Sequence, residues 1–281
     1  MPNSKDVFQW VVSQISLDEP VEEINSIAYL LLGHELHLTR AQIVTGQPLA
    51  SFDQGRLSQL IARLNNHEPV QYILGEQHFY GRAFAVDKRV LIPRPETELL
   101  VTCALDYAKG LNRKIHVLDI GTGSGCLAVT LSLEMSSATV TGIDISDDAL
   151  AVATANNHLH KATANFAHCD ILNESLPEGK YDIMVSNPPY VTAGEKPNMK
   201  RNVLDYEPHR ALFVTDDHPL QFYQAILARV PSQLHQGGML AVEINERYGK
   251  EVLTLFENKA FQKAGIKKDM WGKDRVVWGI L

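Results

Sequence analysis

Apolar positions recur at helical spacing through roughly the first 67 residues. Phe8, Val11, Val12 and Ile15 fall on one face of a helix, as do Ile24, Ile27, Ala28 and Leu31, and later Leu57, Leu60, Ile61 and Leu64. Thr39 and Gln42 have the spacing of a capping box, in which each side chain satisfies a backbone amide at a helix start. Short helices with one apolar face each predict a small all-α N-terminal domain over residues 1–67, too slight to be a free-standing catalytic domain. Between Val70 and Ile92 the pattern changes to short apolar and aromatic runs broken by Gly75 and Gly81, which predicts a β-hairpin linker over residues 68–93. Pro93 and Pro95 end it.

Beyond Glu96 the periodicity alternates between helix and strand. A helix is predicted from Leu99 to Ala108, a strand from Ile115 to Ile120, a helix from Gly125, a strand from Val140 to Ile145 and a buried strand from Tyr181 to Val185. Such alternation predicts an α/β domain over residues 94–281, with a mostly parallel sheet covered by helices on both faces.

Composition narrows the setting. A chain of 281 residues can bury a core without metal or disulfide staples. Cys103, Cys126 and Cys169 are odd in number and far apart, so they are expected as small buried apolar side chains rather than as a disulfide or zinc site. His34 and His37 stand three apart, where a zinc-protease helix needs histidines at i and i+4, so no metal is expected there. No charged-then-apolar leader opens the chain, and no apolar run approaches the ~20 residues that span a bilayer, so a cytoplasmic protein is expected. With 33 acidic and 26 basic residues the formal charge is -7, which disfavours broad binding to a phosphate backbone and favours a protein substrate over a nucleic acid.

The predicted strand ending at Ile120 runs into Gly121, Thr122, Gly123, Ser124 and Gly125, and a helix follows. Alternate glycines let the backbone turn sharply and approach a ligand at the strand end where doubly wound folds bind cofactors. A plain tight turn and a nicotinamide site are the alternatives, although the latter normally has the spacing G-x-G-x-x-G. Ser124 is no hydrolase nucleophile, because Thr122 and Cys126 occupy positions where G-x-S-x-G needs glycine. Asp144 closes the next strand, where a carboxylate can accept hydrogen bonds from both ribose hydroxyls of an adenosine-containing cofactor or, alternatively, cap a helix. Asp170 and Ile171, at the end of an expected third strand, are placed to meet an adenine amino group and pack on its ring.

The strand from Tyr181 leads directly into Asn187, Pro188, Pro189 and Tyr190. Two prolines fix their own φ, remove two donors and hold the preceding residues extended, so Asn187 and Pro188 are rigid at a strand end. A planar amide or aryl amine is a poor nucleophile because its lone pair is delocalised. The Asn187 side-chain oxygen and the Pro188 carbonyl can each accept one hydrogen bond from an NH₂ group and aim its lone pair at a methyl donor, while Tyr190 covers the flat face.

These residues resemble the release factor glutamine methyltransferases of the HemK family. The resemblance extends to Pro69 through Gly75, Ile92 through Thr97, Asp119 through Gly125, Glu207-Pro208, Ala211-Leu212 and Asp274 through Val277. It implies a seven-stranded Rossmann-like methyltransferase domain whose last strand is antiparallel, preceded by the helical domain and hairpin linker. It also implies S-adenosylmethionine as cofactor, held by Gly121, Thr122, Gly123, Ser124, Gly125, Asp144, Ile171 and Asn187. The implied substrate is the glutamine of the Gly-Gly-Gln motif of class 1 peptide chain release factors, held by Asn187, Pro188, Pro189 and Tyr190. The catalytic set is then Asn187, Pro188 and Tyr190, and the helical domain docks the protein substrate. Asn245 and the His218-Pro219-Leu220 segment depart from the family pattern outside these motifs. A sister group that modifies a ribosomal protein typically has Pro-Arg-Ser-Pro in the linker, so Pro93-Arg94-Pro95-Glu96 favours the release-factor branch. The rival readings are a nucleic-acid adenine amino methyltransferase, which would need a way to hold a flipped base, and a non-catalytic cofactor-binding scaffold.

Overall fold

A computed structural model describes residues 3–111, 113–259 and 261–281 of the chain. They form two compact units: one of the residues up to Glu76 together with Lys200–Tyr206, the other of Gln77–Met199 and Glu207–Leu281.

The smaller unit is helical, with α1 (Ser4–Gln14), α2 (Val21–Leu36), α3 (Arg40–Thr45), α4 (Gln54–Asn65) and α5 (Val70–Leu74). Asn3 and Asp53 accept from Asp6 N and Arg56 N to cap α1 and α4, and both halves of the Thr39–Gln42 capping box form at α3. The apolar stripes converge on one core that includes Val11, Ala28, Leu31, Leu57 and Leu64. Each buried valine or leucine among them contributes about 1.5–3 kcal/mol relative to exposure. The segment Lys200–Tyr206 joins this unit through the Lys200 Nζ to Glu19 ion pair at 2.7 Å and the Tyr206 hydroxyl, which donates to Asn66 O at 2.7 Å.

The linker differs from the expected hairpin over its first part. Val70–Leu74 is the short helix α5, because Pro69 starts it, Gly75 ends it in the left-handed region (φ 77°), and Val70, Tyr72 and Ile73 are buried. A short apolar run cannot be assigned to strand or helix by periodicity alone. The hairpin is confined to β1 (Glu76–Phe79) and β2 (Arg82–Ala85). Tyr80 and Gly81 both have positive φ (49° and 75°), as a two-residue type I′ turn requires.

The larger unit continues with α6 (Glu98–Ala108), β3 (Ile115–Ile120), α7 (Cys126–Glu134), β4 (Ala138–Asp144), α8 (Asp147–Leu159), β5 (Asn165–His168), β6 (Tyr181–Ser186) and β7 (Val191–Thr192). After α9 (Arg201–Tyr206), which belongs to the helical unit, come α10 (His209–Leu212), β8 (Phe213–Val214), α11 (Gln221–Gln233), β9 (Leu234–Glu243), α12 (Gly249–Glu257), β10 (Lys263–Lys268) and β11 (Asp274–Ile280). The main sheet has seven strands in the order β10-β11-β9-β6-β3-β4-β5. Its pairs β9-β6-β3-β4-β5 are parallel, and the last strand, β11, is antiparallel to both of its neighbours. Alternate residues of β6 feed different cores: Ile183 and Val185 pack with α6 and α7 residues such as Leu100 and Leu127, and Met184 with α11 and α12 residues such as Leu227 and Phe256. The sheet is therefore buried on both faces, and ligands have access at its strand ends.

Cys103, Cys126 and Cys169 are free and buried. Among the described residues no helix is long and apolar enough to cross a membrane.

Candidate active site

The strand order reverses at β3, with β4 on one side and β6 on the other, so the crevice at the carboxyl ends of these strands is the topological switch point. In register, Ile120 pairs with Ile143 on one side and Ser186 on the other, and Asp144 pairs with His168. The glycine turn, Asp144, the segment after β5 and Asn187 thus leave the sheet side by side. The Ser186 hydroxyl donates to Ile120 O at 2.7 Å and locks β6 to β3 at this edge.

The turn is built by its own backbone. Gly121 N and Thr122 N both donate to Ile143 O, at 2.8 and 2.9 Å, and Gly121, Gly123 and Gly125 all have positive φ. A Cβ on Gly121 would meet nothing within 4 Å, whereas one on Gly125 would lie 2.9 Å from the Ala153 Cβ. Gly121 therefore leaves open space above the backbone, and Gly125 permits close packing of α8. The Asp144 carboxylate accepts from Gly123 N and Ser146 N, each at 2.9 Å. Burial raises its pKa against these amides and the Arg210 guanidinium.

A pocket of ≈ 760 Å³ lies over this edge. Gly121, Gly123, Asp144, Ile171, Asn187, Pro188 and Pro189 line it, together with Asp170. Ile145 and Leu172, apolar yet 41% and 39% exposed, also face it and provide a surface for a flat ring. Thr122, Ser124, Gly125 and Tyr190 do not line it. Thr122 turns inward and donates to Asp119 Oδ2 at 2.7 Å, and Ser124 is buried with its carbonyl accepting from Asn156 Nδ2 at 2.9 Å. These residues shape the turn from behind. Asp119 is fully buried, and desolvation together with the Asp144 charge pushes its pKa up to about 7 in spite of the Thr122 hydroxyl and the Ala128 backbone amide. The third strand stops at His168, so Asp170 and Ile171 lie just beyond it; the Asp170 carboxylate accepts from Leu172 N and Asn173 Nδ2.

Asn187 donates from Nδ2 to the Thr97 hydroxyl at 3.1 Å, Thr97 donates to Glu243 Oε2 at 2.6 Å, and the Tyr190 hydroxyl donates to Glu243 Oε1 at 3.0 Å. Glu243 is buried, which raises its pKa against the pull of these two hydroxyls and Arg275. Burial and the neighbouring Glu243 also raise the Tyr190 phenol, which stays protonated. Thr97, Glu243 and Asn156 were not singled out from the sequence. Thr97 closes a segment that carries the family resemblance, Glu243 stands two residues before the Asn245 departure from it, and Asn156, which also bonds Ala85 N and O on the hairpin, has no local signal.

The glycine turn, the Asp144 carboxylate and the Asn-Pro-Pro-Tyr segment at one edge of a mostly parallel seven-stranded sheet place the chain in the class of Rossmann-like methyltransferases. A methyltransferase from Pyrococcus furiosus shares the fold, with a TM-score of 0.51 at 16% identity over 79% of this chain and 98% of that one. Residues 95–207 match the methyltransferase small domain family and residues 6–75 the PrmC N-terminal domain family. The chain is 41% identical to the release factor glutamine methyltransferase of Bacteroides thetaiotaomicron over 92% of its own length and 93% of that protein. It is 35% identical to the Bacillus subtilis protein of the same name over 98% of its length and 97% of that protein. The chain belongs to the release factor glutamine methyltransferase family.

Proposed function

We propose that this protein transfers a methyl group from S-adenosylmethionine to the side-chain amide nitrogen of the glutamine in the Gly-Gly-Gln motif of a class 1 peptide chain release factor. The observation that carries the reading is Asn187. Its Nδ2 is committed to Thr97, so its Oδ1 is the atom left to accept a hydrogen bond in the pocket. Pro188, whose carbonyl can accept the second amide hydrogen, lines the same wall.

The pocket suits the cofactor. Gly121 and Gly123 leave open space above the turn, Asp144 offers an acceptor beside it, and Ile145, Ile171 and Leu172 supply apolar surface. Those residues would hold S-adenosylmethionine, with Asp144 on the ribose hydroxyls and Ile171 on the adenine ring. When bound, the cofactor supplies an electrophilic methyl group on a sulfonium centre. Asn187 Oδ1 and the Pro188 carbonyl hold the two N–H groups of the glutamine amide and fix its plane, so that the nitrogen lone pair, perpendicular to that plane, is open to the methyl donor. Pro189 stiffens the wall, and Tyr190, anchored on Glu243, backs it. No general base is needed at the outset, because the nitrogen becomes strongly acidic once methylated and then releases its proton to solvent, with S-adenosylhomocysteine as the other product of the transfer.

The helical unit is the docking surface for the protein substrate in this reading. A glutamine in a glycine loop offers little to recognise, so discrimination needs a contact away from the reacting atom. Removing residues 1–67 should lower efficiency on intact release factor far more than on a short Gly-Gly-Gln peptide. The deletion also strips Lys200 and Tyr206 of Glu19 and Asn66, so the ratio between the two substrates is the informative quantity. Equal losses on both would assign the helices a stabilising role only.

The proposed activity is tested by incubating the full chain with radiolabelled S-adenosylmethionine and, separately, release factor, ribosomal protein, bulk RNA or DNA. Label should enter the release factor. Label in nucleic acid alone would support the amino methyltransferase reading, and label in none would support a scaffold.

A further inference from the structure

We propose that Thr97 and Glu243 form a positioning relay that decides which atom of the Asn187 amide faces the substrate. It rests on the reading that Asn187 orients a glutamine amide. An asparagine amide is nearly symmetric in shape, and rotating it by half a turn exchanges an acceptor for a donor. Turned the wrong way, Asn187 would present an NH₂ group to the substrate's own NH₂ group and could not hold it.

The relay removes that ambiguity by counting protons. Thr97 is 2% exposed and has one hydroxyl proton, which, with Glu243 ionised, goes to its Oε2 at 2.6 Å. Towards Asn187 the Thr97 oxygen then has only lone pairs, so it accepts from Nδ2 at 3.1 Å and leaves Oδ1 for the pocket. The other carboxylate oxygen of Glu243 takes the Tyr190 hydroxyl at 3.0 Å, so one buried side chain holds both ends of the Asn-Pro-Pro-Tyr segment. Glu243 ends β9, beside β6, and its main-chain carbonyl accepts from the Tyr223 hydroxyl at 3.2 Å, which fixes the base of the relay. Thr97 and Glu243 therefore act through Asn187 and need no contact with the substrate.

The test compares Thr97→Val, which removes the hydroxyl at nearly constant shape, with Thr97→Ser, which keeps it, using the full chain, intact release factor and S-adenosylmethionine. Thr97→Val should lower kcat by about 100-fold, the loss expected from misplacing an orienting group. KM for release factor and affinity for S-adenosylmethionine should stay near wild type, and Thr97→Ser should restore most of the turnover. Because Thr97 acts through Asn187, adding Thr97→Val to Asn187→Ala should cause little further loss. Thr97→Ala repeats the comparison without a methyl group against Glu243, and retained cofactor binding establishes that each variant is folded. Wild-type kcat in Thr97→Val or Thr97→Ala, equal losses in the Ser and Val variants, or a full additional loss in the Asn187→Ala background would each overturn the relay. Failure of the wild-type chain to methylate release factor would refute the underlying reading itself; an active wild type with an indifferent Thr97 refutes the relay alone.

Discussion

Asn187→Ala should lower turnover on release factor by roughly 100- to 1,000-fold, the range seen when one preorganised hydrogen bond to a reacting group is removed. The side chain lies at the end of β6 between Ser186, which is bonded to β3, and two prolines, so its deletion should leave the fold intact. The hydrogen bond from its amide to the Thr97 hydroxyl can be lost without stranding the hydroxyl proton, which Thr97 still donates to Glu243. Steady-state kinetics with a thermal melt on the same sample checks both halves. Near wild-type turnover would remove Asn187 from the amide-orienting role.

Asp144→Ala should weaken binding of S-adenosylmethionine by about 1.5–3 kcal/mol, the contribution of a hydrogen bond to a charged group, which corresponds to roughly 10- to 150-fold in Kd. The same carboxylate accepts from Gly123 N and Ser146 N, so the substitution also loosens the glycine turn. Calorimetry on wild type and variant gives the comparison, and NAD serves as the control ligand. Saturable NAD binding by the wild type without S-adenosylmethionine binding would contradict the cofactor assignment.

The parts of the site that the sequence made legible are contiguous. Gly121 to Gly125 and Asn187 to Tyr190 each form a local pattern with a local physical reason, positive φ in one and proline rigidity in the other. The β-α alternation likewise yielded the parallel sheet, and the family resemblance the antiparallel last strand. What stayed hidden depends on strand order. Thr97 and Glu243 are 146 positions apart and meet only because β9 lies beside β6 while the turn before α6 returns to the same edge. Asn156 joins α8 to the hairpin and the glycine turn through three bonds, a role that no spacing announces. The helix at Val70–Leu74 was obscured for a different reason, since five apolar-rich residues are too few to distinguish a period of 3.6 from one of 2. The assignment of Lys200–Tyr206 to the helical unit is also a tertiary property, carried by Lys200 and Tyr206 bonding to residues far away in the chain.

Tandem mass spectrometry of release factor treated with the full chain and S-adenosylmethionine locates the transferred methyl group to a single atom. A single added methyl group is expected on the side-chain nitrogen of the glutamine in the Gly-Gly-Gln motif, present with wild type and nearly absent with Asn187→Ala. A methyl group on any other residue, or on that glutamine undiminished in the Asn187→Ala reaction, would contradict the proposed function.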